Sequence, residues 1–138
     1  MNNTTYTSYQ PKAGSDSLLK KDINKQASDA GFSPEKLEEL EIIVSEMTAN
    51  LLKYSQSGEL RMCIAEVKNK AYLELICIDS APDVADEAKK IITEDFSEST
   101  GQTGLDCIRK LADYFEFYKM IGWGSILICR IYKNSRFK

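Results

Sequence analysis

Glu46 and Asn50 stand four residues apart in the stretch SEMTANLLKYS, Ser45 to Ser55. On a helix that spacing places a carboxylate and an amide on one face, one turn apart. With Ile43 and Tyr54 they form a stripe beside a wholly apolar one, Leu40, Val44, Met47 and Leu51. The apolar stripe must bury, so the two polar groups stand at the edge of the core. A carboxylate there costs free energy unless a partner or ligand uses it. Taken alone, the pair also fits a half-exposed helical Glu followed by an Asn near the helix end.

Three further stretches could do chemistry. Asp79 closes an apolar run and opens the loop DSAPDV, where a strand-end acid can accept a hydrogen bond from a ligand amine. It could equally be a turn-starting Asp. STGQTGL, Ser99 to Leu105, is a small-residue loop running into a helix start, whose free N–H groups and positive dipole end suit phosphate. GWGS, Gly122 to Ser125, reads by itself as a hairpin turn.

The elements that must position these residues follow from periodicity and punctuation. TTYTSYQ reads as a short edge strand. Ser15 or Asp16 caps a helix running to about Ala30. In AGFSP, Gly31 suits the helix end, Ser33 the next N-cap and Pro34 the first helical position, giving a second helix to about Tyr54. ELRMCIAEV and AYLELICID read as two strands joined by a KNK hairpin, the second a central strand. DVADEAKKII is a further helix and TEDFSESTGQTG a polar link. LDCIRKLADYF is an amphipathic helix with Leu105, Ile108 and Leu111 or Ala112 inward, and YFEFYKM with SILICRIYK closes the chain as a hairpin. Strands arrive in hairpins and helices in blocks. The expected fold is a single α+β domain over 1–138, a two-layer sandwich with a mixed, mainly antiparallel sheet covered on one face by helices.

Composition excludes several classes. A net charge of -3 argues against a nucleic-acid binder, which needs a basic face. No apolar run approaches the ~20 residues of a membrane span. The start MNNTTYTSYQPK has neither the basic end nor the apolar stretch of a secretory signal, so a cytoplasmic location is expected. The chain has no histidine, which removes Ser-His-Asp and Cys-His catalysis. Cys63, Cys77, Cys107 and Cys129 are scattered singly, the pattern of reduced buried thiols rather than of a zinc site.

Order and spacing together say more than each stretch alone. The set resembles the Bergerat-type (GHKL) ATP-binding fold shared by gyrase, MutL and histidine kinases, from the first strand to about Lys133. Within it the chain looks like the single-domain anti-sigma-factor serine kinases and partner-switching kinases. SEMTANLLKYS matches the family's Glu/Asn box, DSAPDV its adenine box, GQTGL the box after the lid, and GWGS the final turn. The resemblance implies a protein serine/threonine kinase with ATP and Mg²⁺ as its cofactors. Glu46 would be general base, Asn50 the Mg²⁺ ligand and Asp79 the acceptor of the adenine amino group. Ala81, Asp83, Gly101, Thr103, Gly104, Leu105 and Ser125 would line the nucleotide. The implied partner is a small anti-anti-sigma domain, with a sigma factor or phosphatase and a homodimer as further expectations. Where the family has glycines this chain has Ala81, Asp83 and Gln102. The alternative expectation is therefore a non-catalytic interaction module of the same fold that no longer binds ATP.

Overall fold

A computed structural model describes residues 5–12, 14, 16–54, 58–79, 104–120 and 124–134. In chain order these form β1 (Thr7–Tyr9), α1 (Asp16–Asp29), α2 (Pro34–Tyr54), β2 (Gly58–Val67), β3 (Lys70–Asp79), α3 (Gly104–Leu111), β4 (Tyr114–Met120) and β5 (Gly124–Tyr132). The fold is α+β. The helix expected from DVADEAKKII lies outside the described residues.

The α1–α2 corner follows from its sequence. Gly31 takes φ 95°, a left-handed conformation that suits a residue without Cβ. The Gly31 N–H donates to the Ser28 carbonyl at 3.0 Å, and the Phe32 N–H to the Ala27 carbonyl at 3.1 Å. This pair of bonds is a Schellman motif, sealed by burial of both Phe32 and Ala27 in the core. One residue later the Ser33 hydroxyl accepts from the Lys36 N–H at 3.2 Å, and Pro34 opens α2.

The sheet order is β1-β2-β3-β5-β4, with every pairing antiparallel. The parallel component expected of a mixed sheet is absent among the described residues. β2 and β3 meet at Lys68 and Asn69, whose φ values of 52° and 67° make the tight two-residue turn that matches strand twist. α3 ends at Leu111, earlier than the helical reading of LDCIRKLADYF, because Tyr114 and Phe115 pair with Arg130 and Cys129 as strand. Aromatic residues in a register that fills a sheet edge override a weak helical pattern.

Opposite residues of an antiparallel pair share a face. On one face Leu60, Cys77 and Leu127 form a row, and Met62, Leu75 and Cys129 the next. These join Ile23 of α1, Leu40, Ile43 and Met47 of α2 and Ile108 of α3 in one buried cluster. The apolar stripe of α2 behaves as its spacing dictates, with Leu40, Val44, Met47 and Leu51 buried; in the stripe beside it Ile43 is buried as well, while Glu46 and Asn50 are half-buried at the margin. The opposite face holds Cys63, Glu74, Arg130 and Tyr114 in one row.

Candidate functional site

α2 brings its polar stripe to α3. A Cβ placed on Gly104 would lie 2.5 Å from Oε1 of Glu46 and 3.5 Å from Nδ2 of Asn50. The carboxylate therefore fills the space where a side chain at the first position of α3 would begin. Cys107, one turn along α3, feels the same group. Burial pushes its thiol above the ordinary range first, Glu46 and then Asp106 add to this, and Lys110 opposes it. No ion pair joins Glu46 to a cation among the described residues.

The sheet presents Asp79 at the same end. Asp79 is opposite Gly58 on β2 and Ser125 on β5, and Ser125 is opposite Lys119 on β4, so these four share one row and one face. That face is the core face, because Cys77 lies two residues before Asp79 on the same strand. Burial pushes the Cys77 thiol up to about 12, with the Asp79 charge adding to it. One carboxylate oxygen of Asp79 is itself buried. A Cβ on Gly58 would meet the Leu51 side chain at 2.5 Å, so the C-terminal half of α2 sits on this row, with Asn50 next to Leu51 in sequence.

The structure thus brings Glu46 and Asn50 to Gly104, and Asp79 and Ser125 into the sheet row whose Gly58 lies under Leu51. Leu105 is half-buried and packs against the core rather than standing open. Ala81, Asp83, Gln102, Gly101 and Thr103 lie outside the described residues. Sequence reasoning missed Lys119 and Cys107. Counting register back from the GWGS turn would have put Lys119 opposite Ser125, and the three-residue step from Gly104 would have put Cys107 on the face toward Glu46. A groove of about 350 Å³ between β1 and α1, lined by Tyr9, Leu18 and Asp22 among others, uses none of these residues.

Chemically the cluster offers hard oxygen and an acceptor: two carboxylates, an amide and a hydroxyl, with a cationic Lys119 on the same row. Among the described residues no three His, Cys, Asp or Glu side chains are placed to hold a metal ion by themselves. No helix of the described residues is long and apolar enough to cross a membrane. No known family pattern matches the chain, and no curated protein sequence matches it either.

Proposed function

We propose that the chain is a Bergerat-type ATP-binding domain, a two-layer sandwich, acting as a cytoplasmic protein serine/threonine kinase of the anti-sigma or partner-switching type. One observation carries this reading: Glu46 and Asn50 of α2 meet the Gly104 start of α3, at the sheet end that Asp79 closes. The donors fit the group they would hold. An amide and a carboxylate are oxygen donors of the kind magnesium and phosphate chemistry use, and Glu46 carries no fixed cation among the described residues.

Bound Mg-ATP supplies the phosphoryl group and the charge neutralisation that its transfer needs. The chain's own residues do the rest. Asp79 accepts a hydrogen bond from the adenine amino group, and Asn50 offers its amide oxygen to the metal. Glu46 orients the partner's serine or threonine hydroxyl and takes its proton. The partner is a small antagonist domain of the anti-anti-sigma type, with a sigma factor or a phosphatase as further members of the switch.

The test is phosphoryl transfer from γ-labelled ATP to a purified anti-anti-sigma domain. Label on a partner serine or threonine, lost in Glu46→Ala, is expected. Equal labelling by Glu46→Ala refutes the base assignment. The replaced glycines favour a second reading, a non-catalytic module that works by occupancy alone. Asp83→Gly separates the two: on the kinase reading it tightens nucleotide binding, whereas the module binds none in either form.

A further inference from the structure

The kinase reading makes Gly104 a lining residue of the nucleotide. Its surroundings give it a different task. The position its side chain would occupy is taken by the Glu46 carboxylate, with Oε1 at 2.5 Å and Cδ at 3.5 Å from a Cβ built there. A heavy-atom approach of 2.5 Å is far inside van der Waals contact, so a methyl there would make the Glu46 carboxylate, the far end of a flexible side chain, move out of this place. The Asn50 amide borders the same space.

We propose that Gly104 is a positioning residue for Glu46: the missing side chain is a notch that seats the carboxylate against the start of α3, one turn from Asn50. Without the notch, Glu46 would have to turn toward solvent and the pair would lose its common aim. The helix start adds to the seat, because its free N–H groups and positive dipole end favour an anion. What the seat does for transfer rests on the kinase reading; the seat itself does not.

Cys107 reports on the seat without any nucleotide. It is half-exposed, whereas Cys63, Cys77 and Cys129 are buried, so iodoacetamide reads it selectively in the folded chain. The charged groups facing its thiol are Glu46 from α2 and Asp106 and Lys110 from α3. Glu46 is one cause of the raised thiol, so displacing the carboxylate shifts the alkylation rate profile to lower pH.

The experiment compares wild type, Glu46→Gln, Gly104→Ala and the pair Gly104→Ala/Glu46→Asp, in which one added carbon is offset by one removed. Gly104→Ala should move the Cys107 profile down as Glu46→Gln does, and the double variant should bring it back. An unmoved profile in either single variant, or no recovery in the pair, overturns the seat. If Gly104→Ala fails to fold, recovery of the fold by adding Glu46→Ala supports the notch. Failure of that pair too assigns the defect to the backbone and overturns it.

The second readout is Mg-ATP turnover with water as acceptor. In Gly104→Ala kcat should fall about tenfold to a hundredfold, as for a misplaced catalytic group, with KM little changed, and Glu46→Asp should restore part of it. A fall in KM-governed binding with kcat intact overturns the positioning role. If no protein binds or turns over ATP while the thiol profiles behave as stated, the kinase reading falls and the seat stands.

Discussion

Glu74 and Glu46 are two carboxylates on opposite sides of the sheet, and their surroundings could hardly differ more. Glu74 is buried, at 5% exposure, yet both its oxygens are used: Arg130 Nε donates to one at 2.7 Å and the Tyr6 hydroxyl to the other at 2.6 Å. The Arg130 guanidinium lies 4.7 Å and 4.8 Å from the ring centroids of Tyr72 and Tyr114. The bond to Glu74 is the first cause that raises the Tyr6 hydroxyl, with burial second. Glu46 stands at the margin of the core with a glycine, an amide and a thiol for neighbours and no cation among the described residues. A carboxylate whose partners are built into the fold holds structure together. One with no cation paired to it among the described residues can act on something brought from outside.

Four changes break or sharpen that contrast. The largest effect is on catalysis: Glu46→Ala should lower phosphoryl transfer by about 10²–10⁴-fold, while a change of less than about 1 kcal/mol in the unfolding free energy from urea denaturation is expected for a marginal helix position. A comparable loss of stability would put Glu46 in the same structural class as Glu74. Next, Arg130→Met strands the Glu74 carboxylate and should cost about 2–4 kcal/mol in chemical denaturation, discounted for the part-exposed arginine. Replacing both, as Glu74→Leu/Arg130→Met, should recover much of that loss. A third change probes the sheet end beneath the site. Gly58→Ala forces a methyl into Leu51 and should cost about 1–3 kcal/mol by overpacking, with Leu51→Ala in the same chain offsetting part of the strain.

The smallest effect is on acid stability. Bonds from Arg61 and then Ser8 hold the Glu59 carboxyl below its ordinary value, and those from Arg109 and Lys110 do the same for Asp106. A depressed carboxyl contributes stability that is present above its unfolded value and lost as pH falls through the folded one. The unfolded values are near 4.5 and 3.8, so melting followed from pH 6 down to pH 3 should show a shallower acid slope in Glu59→Gln. An identical slope would remove Glu59 from the account.

How much of this was legible beforehand depends on how local the cause is. The α1–α2 corner could be read from Gly31, Ser33 and Pro34 because caps act over three or four residues. The two stripes of α2 were legible because helical periodicity repeats within one element. The hairpin at Lys68–Asn69 followed from two facing strands with a polar turn. The insertion of β5 between β3 and β4 carries no local signal, since pairing partners are chosen by the whole sheet. Nor could the contact between Gly104 and Glu46 be read, because nothing in either stretch names the other. In the sequence the glycine stands out only by its place in a loop-to-helix stretch, which points to the nucleotide. Yet a side chain added there would meet the Glu46 carboxylate first. α3 was overextended for the opposite reason: Tyr114 and Phe115 fit a helical count, and only their β5 partners decide against it.

The most direct measurement is heat denaturation during a titration with ATP and Mg²⁺, alongside Asn50→Ala. A ligand at 100 times its dissociation constant stabilises the folded state by about 2.7 kcal/mol. For a chain of this size that raises the melting temperature by several degrees, and Asn50→Ala should lose the Mg²⁺-dependent part. A melting temperature unmoved at millimolar Mg-ATP would contradict the claim that Glu46, Asn50, Asp79 and Gly104 form a nucleotide site.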